Sequence, residues 1–335
     1  MYTKFYNLLK HPFQLTPDAE MLFVSEGHKS ALSYFHYGLL QGEGFVVLTG
    51  NSGVGKTTLI KSLIKDISSD QHITAATITA ANLDAFGVLQ TISSAFELKF
   101  ENKSKVALMK GINDFVLDKY KKNSRILLIV DEAQTLLPEA LEELRLFSNL
   151  EINGKSLMQM FLVGQQELTS TLLASEFEQL RQRIIASYHL TALSEEDVKN
   201  YILHRLHKAG WKNDPEIEGG IYKGIYHWSS GIPRKINLIC DRLFLYGFTT
   251  ESHKLVLKDL EQVVQDIDKE IRGAGSNNNS ESGDLSMDEN DLSLSNINLT
   301  NLNYKIMQKL IDSIAGIELS LNQLVELYKT KNKNI

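Results

Sequence analysis

In the first 190 residues, short apolar runs that end in small or acidic residues alternate with amphipathic segments. The runs are FVVLTG at 45–50, ITAATITA at 73–80, ILLIVDE at 126–132 and MQMFLVGQ at 158–165. They are unbroken rather than alternating, which is the pattern of strands in a parallel sheet covered on both faces. Between them TTLIKSLIKDI, DAFGVLQTISSAF and ALEELRLFSNLE carry apolar residues three and four apart, the helical period. This βαβα order predicts a doubly wound α/β domain over residues 1–190. After Leu190 the pattern is helical only, in SEEDVKNYILHRLHKAG, EIEGGIYKGIYHWSSG and IPRKINLICDRLFLYGF, and predicts a smaller all-α domain over 191–272.

From Gly273 the composition collapses into GAGSNNNSESGDLSMDENDLSLSN, acidic and without a base, so 273–297 is expected to be a disordered linker. Beyond it, over 298–330, Met307, Leu310, Ile314, Ile317, Leu321, Leu324 and Tyr328 alternate spacings of three and four, the a/d seam of a short coiled-coil helix interrupted by Gly316. Such a seam pairs with a second copy, docks in a partner groove, or folds back on its own body.

Composition narrows the partners. With 335 residues, 43% of them apolar, the chain can bury a large core, and its net charge of -6 argues against a general polyanion binder. Its single cysteine, Cys240, permits no internal disulfide and lies in the apolar pattern INLICDRLFL, where a buried structural thiol is expected. The N-terminal MYTKFYNLLKHPF lacks the apolar core of a secretion signal, and no stretch approaches the roughly 18 apolar residues of a membrane span. The expectation is a cytoplasmic protein without direct membrane insertion, peripheral at the inner membrane only through a partner.

The first chemistry-bearing segment is GNSGVGKT, comprising Gly50, Asn51, Ser52, Gly53, Val54, Gly55, Lys56 and Thr57, with Thr58 opening the helix behind it. A loop of this kind between strand and helix turns consecutive backbone N–H groups around phosphate oxygens, and the helix N-terminus adds its dipole. Lys56 then serves the β- and γ-phosphates of ATP, and the Thr57 hydroxyl serves Mg²⁺. About 75 residues later the buried run ends in Asp131 and Glu132, carboxylates that need compensation there. In a P-loop protein the metal supplies it: Asp131 is placed to hold Mg²⁺ through water, and Glu132 to orient and deprotonate the attacking water. Gln134, on the same turn, either touches a phosphate or caps the helix. Gln165 falls just past the next strand, where open α/β sheets bind ligands, and is a candidate to sense the γ-phosphate; Gln166 competes with it. In GIPRKIN, Arg234 stands at a helix start after a glycine and a proline and is placed to reach the nucleotide from the lid side.

As a set, GNSGVGKT, LLIVDEAQ, LVGQQEL, LRQRI and GIPR resemble the AAA+ ATPases, and more narrowly the general secretion pathway protein A type. The nearest likeness is to secretion ATPases associated with exosortase and exopolysaccharide loci, and it covers roughly residues 1–270, including FYNLLKHPFQLTPD and LEELRLFSNLE. The resemblance implies a P-loop NTPase core with a C-terminal all-α lid. It makes residues 50–57 the Walker A loop, Asp131 and Glu132 the Walker B pair, Gln165 sensor 1 and Arg234 sensor 2. It also lays the N-terminal segment against the adenine, which gives Pro12 and Phe13 a binding role. Members of this type often continue into a membrane span and a peptidoglycan-binding domain. Neither is expected in this chain, so cell-wall binding is not expected to transfer.

The function so expected is Mg²⁺-dependent ATP hydrolysis by a homo-oligomer, ring or filament, that drives or regulates a cell-envelope export or exopolysaccharide machine, with a protein partner engaged through the C-terminal helix. One competing function is an ATP-dependent DNA-transaction regulator. Against it stand the missing helix-turn-helix and basic stripe; HRLHK at 204–208 reads as a solvated helix face. The other is a scaffold that binds ATP without useful turnover. Two arginines, Arg181 and Arg183, remain in EQLRQRI. In this architecture an arginine there reaches a neighbour's γ-phosphate rather than its own, and Arg183, adjoining the following strand, is the favoured finger, with Arg181 the alternative.

Overall fold

The computed structural model describes residues 1–276 apart from Pro17, Ser69 and Gln71, and Met1–Gly273 form one compact unit. Five strands make one parallel sheet: β1 (Phe45–Gly50), β2 (Ile73–Thr79), β3 (Arg125–Asp131), β4 (Met158–Gly164) and β5 (Ile184–Leu190), in the order β2-β3-β4-β1-β5. The unbroken apolar runs are explained by the two covers. Phe45 and Val47 enter one core with Leu128 and Leu162, while Val46 and Leu48 enter the other with Ile129 and Phe161. Successive side chains on a strand point to opposite faces, so a strand buried on both needs an apolar residue at every position.

Among the described residues, six helices of two turns or more accompany the sheet: α1 (Glu26–Gln41), α2 (Lys56–Ile67), α3 (Ala85–Ala95), α4 (Lys105–Lys121), α5 (Pro138–Ser148) and α6 (Gln166–Leu173). Phe35 of α1 and Leu59 of α2 pack into the second core, and Val88, Ile112, Leu144 and Leu168 of α3 to α6 into the first. Their starts are set by side chains. Ser25, Asp84 and Ser104 accept from the backbone N–H groups of His28, Gly87 and Ala107, and Pro138 occupies the first turn of α5.

Beyond the sheet come α7 (Glu195–Lys208), α8 (Gly219–Ser229), α9 (Pro233–Thr249) and α10 (Leu257–Ser276), with a two-residue parallel pairing of Glu216–Ile217 and Lys254–Leu255. Val198, Ile202, Ile225, Ile239 and Leu243 form their core, and Cys240 is buried in it, where burial pushes its thiol well above the usual range. Helix α10 runs to Ser276, past the boundary expected at 272. The rest of the expected linker and the coiled-coil segment at 298–330 lie outside the described residues.

One expectation is corrected. The first residues were grouped with the α/β domain, but Tyr2, Tyr6, Leu8 and Phe13 are part of the helical core. The Tyr2 hydroxyl donates to Asp241 Oδ1 (2.7 Å), that of Tyr6 to the Ser252 carbonyl (2.9 Å), and the Leu9 N–H to the Ala209 carbonyl (2.8 Å). Aromatic residues scattered through a short segment carry no period that names their partner; three strong donors meeting three acceptors on the lid do. Among the described residues no helix is long and apolar enough to cross a membrane.

Candidate nucleotide site

The site is assembled at the carboxyl ends of β1, β3 and β4. β1 runs directly into the turn at 51–55 and then α2, so the helix starts at Lys56 with no side-chain cap and its first N–H groups left to the loop. Gly53 (φ +81°) and Gly55 (φ +109°) adopt left-handed conformations that favour glycine. A side chain at 53 would also come within 2.7 Å of Arg234 Cβ. The lid touches the loop here: the Arg234 N–H at the start of α9 donates to the Gly53 carbonyl (3.2 Å).

Lys56 is only 6% exposed, and its Nζ donates to the carbonyls of Gly50 (2.7 Å) and Asn51 (3.0 Å) rather than to a carboxylate. Burial lowers its pKa, against the opposing fields of Glu132 and Asp131. The Thr57 hydroxyl donates to Asp131 Oδ2 (2.8 Å), joining the start of α2 to the end of β3. Asp131 Oδ1 accepts from the Glu132 N–H (2.9 Å), so both oxygens of this buried carboxylate are engaged. Glu132 follows in the left-handed region (φ +55°), which turns the chain sharply off the strand. Its Oε2 accepts from Gln134 Nε2 (2.7 Å), and Gln134 Oε1 accepts from the Gln165 N–H (2.9 Å).

These groups border a cleft of about 470 Å³, large enough for a nucleotide, lined by residues 52–58, Glu132 and Arg234. A phosphate-and-metal ligand fits the donor set. The loop has glycines where side chains would intrude, a buried ammonium meets only carbonyls, and a hydroxyl and a carboxylate stand side by side as oxygen ligands for a hard cation. The opposite wall comes from the N-terminal segment and the lid: Gln14, Leu15, Leu22, Phe23, Tyr201 and Arg205.

The predicted residues therefore divide. Residues 52–58, Glu132 and Arg234 line the cleft, and Gly50, Asn51 and Asp131 hold Lys56 and Thr57 from behind. Gln165 stands behind Glu132, linked to it through Gln134, and Gln166 is exposed as the first residue of α6. Pro12 and Phe13 do not line the cleft. Phe13 is 1% exposed with its ring 5.5 Å from Phe244, and the Pro12 carbonyl accepts from Arg205 Nε (2.6 Å). The segment just after them forms the wall instead, because the aromatic side chain is worth more in the helical core than at a wet cleft. HRLHK is corrected as well: His207 and Lys208 are exposed, but Arg205 and Leu206 turn inward.

The two arginines lie at the other end of the sheet. The Arg183 carbonyl accepts from the Phe45 N–H (2.9 Å) at the start of β1, and its Nη1 donates to the Ser148 carbonyl (3.0 Å) at the end of α5. Arg181 Nη1 donates to the carbonyls of Leu172 (2.7 Å) and Ala174 (2.8 Å) at the end of α6. Sequence reasoning missed His28, which lines the cleft at 3% exposure, with Nδ1 2.7 Å from Ser25 Oγ and Nε2 in close approach to Gly55. Its only signal was the capping serine three residues before it. It also missed Tyr201, Arg205 and Asn237, which form a chain of hydrogen bonds from the Pro12 carbonyl to the Gln14 carbonyl.

Residues 39–172 match the AAA domain family. The chain is 39% identical over 268 residues to general secretion pathway protein A of Aeromonas hydrophila, covering 80% of this chain and 48% of that protein, so it spans about half the length of that relative. Among solved structures it is similar to Cdc6p from Pyrobaculum aerophilum (TM-score 0.61, 14% identity, 77% of this chain and 71% of that one). It is also similar to the Aeropyrum pernix ORC1 protein in complex with DNA (TM-score 0.59, 12% identity, 78% and 71%). A third is the RuvB Holliday junction branch migration motor of Thermotoga maritima (TM-score 0.51, 18% identity, 76% and 73%). At these identities the structural likeness concerns the fold alone.

Proposed function

We propose that the chain is an AAA+ P-loop protein related to general secretion pathway protein A and that it hydrolyses ATP with Mg²⁺ at the cleft between sheet and lid. The observation that carries this is the meeting of Lys56, Thr57, Asp131 and Glu132 at one end of the sheet, with Lys56 held by the loop carbonyls, Thr57 bonded to Asp131, and Glu132 facing the cleft. Lys56 would bind the β- and γ-phosphates, with the loop amides around them. Thr57 and Asp131 would hold Mg²⁺, which when bound neutralises charge developing on the phosphate oxygens. Glu132 orients a water and takes its proton. Arg234, whose backbone touches Gly53, would meet the phosphates from the lid, and Gln165 would respond to the γ-phosphate.

The decisive variant is Glu132→Gln. Expected are retained binding of a fluorescent ATP analogue and a steady-state hydrolysis rate lower by about a hundredfold or more. An unchanged rate overturns the assignment. Loss of binding as well would place Glu132 among the binding groups. A scaffold without useful turnover predicts no hydrolysis in the wild type either.

At the level of assembly, the proposal is a homo-oligomer in which Arg183 of one copy completes the site of the next. Its client would be a protein of a cell-envelope export or exopolysaccharide system, engaged through the C-terminal segment and bringing the ATPase to the inner membrane. The support is the likeness to general secretion pathway protein A of Aeromonas hydrophila. The DNA-transaction alternative draws on the ORC1 and Cdc6p likeness, which is a likeness of fold. Salt-dependent DNA binding that strengthens with ATP would decide for it.

A further inference from the structure

Among the described residues, Gln134 is the side chain that bridges the candidate water-activating carboxylate and the strand end carrying Gln165. The orientation of its amide is dictated by the partners. A backbone N–H can be met only by an acceptor, so Oε1 faces the Gln165 N–H at 2.9 Å, and the NH₂ group must face Glu132 Oε2 at 2.7 Å. The turn bearing it is pinned from below. The Thr135 hydroxyl donates to the Ala80 carbonyl (2.8 Å) at the end of β2 and to the Glu132 carbonyl (2.9 Å). Space is matched too: a side chain at Gly164 would come within 2.7 Å of Gln134 Oε1. Two strand ends are thus tied at one amide, with the end of β2 joined to the same turn through Thr135, and the Glu132 carboxylate is held by that tie.

We propose that Gln134 is a positioning residue that couples the junction of β4 and α6 to the Glu132 carboxylate, so that a displacement of Gln165 toward a γ-phosphate re-aims the base. This rests on the reading of Glu132 as the group that activates water. The device differs from a cap on α6, because a cap needs only the oxygen of residue 134, whereas the coupling needs its donor.

Gln134→Glu separates the two. It keeps an acceptor for the Gln165 N–H and the same shape, but removes the donor and sets a like charge against Glu132. Expected is a fall in kcat of about ten- to a hundredfold, with the KM for ATP and the affinity for a fluorescent ATP analogue within about twofold of wild type. Gln134→Ala should lose kcat to a similar extent. The contact itself is read without turnover by melting temperature. Gln134→Glu is expected to melt lower than wild type, and Glu132→Gln combined with Gln134→Glu, which rebuilds the pair in reverse, to recover most of the loss. Wild-type kcat in Gln134→Glu, or strictly additive melting shifts in the double variant, overturns the proposal. If Glu132→Gln alone hydrolyses ATP normally, it is the catalytic reading that fails, and the melting cycle still reports whether the pair is coupled.

Discussion

At the scale of single residues, the site combines groups that announce themselves with groups that do not. Lys56, Thr57, Asp131 and Glu132 were legible because each sits in a contiguous stretch whose local structure alone aims it: a loop before a helix, or the end of a buried strand. His28 was not, since nothing near it in the chain indicates that α1 would be laid beside the phosphate loop. Its burial has a consequence for pH. The ring is held below the ordinary histidine pKa by desolvation, with the Val54 backbone and Asp197 acting the other way. A group whose pKa is lower in the folded state binds more protons when unfolded, so its contribution to stability is present above about pH 6.5 and is lost as pH falls toward the lowered value. The melting temperature of the nucleotide-free protein should therefore drop between about pH 7 and 5, and His28→Gln should flatten that drop. Parallel curves for the two proteins would remove His28 as its source.

At the scale of elements, the strands were readable because burial on two faces forces unbroken apolar runs, and the start of α9 because a glycine and a proline stand before Arg234; the structure adds Ser25, Asp84, Ser104 and Pro138 at other helix starts. The N-terminal segment was misplaced, because its aromatics show no period and its partners lie more than 190 residues away. It acts as a strap on the lid whose next residues wall the cleft. Phe13→Ala should cost about 3–5 kcal/mol of stability, read by chemical denaturation, as expected for a buried aromatic truncated to alanine. A cost under about 1 kcal/mol would mean that the strap adds little to the core. The arginine pair also resolves at this scale. Arg181 and Arg183 each donate to carbonyls at a helix C-terminus, where orphan acceptors and the negative dipole end favour a cation. Two permanent charges a residue apart thus serve two different helices, since the one-turn helix Glu178–Arg181 stops before Arg183.

At the scale of the whole molecule, the position of Arg183 bears on assembly. It adjoins the amino end of β1, while the phosphate loop leaves the carboxyl end of the same strand, so a strand length separates it from its own cleft. On the proposed homo-oligomer, mixing Arg183→Ala protein with Lys56→Ala protein should restore part of the turnover that each lacks alone, because a mixed oligomer would contain junctions with an intact loop and an intact arginine. No recovery at any ratio would confine Arg183 to its bond with Ser148. What the sequence by itself determined is what short-range physics encodes: the strand and helix periods, the phosphate loop, the acidic strand end and the change from α/β to all-α near residue 190. What only the tertiary structure decided is which distant segments meet: Tyr2, Tyr6, Leu8 and Phe13 in the lid core, His28 against the loop, Arg205 in the cleft wall and Gln134 between two strand ends. Those contacts join residues that no local period relates, and the burial of one against another exists only once the sheet and the lid have closed around them.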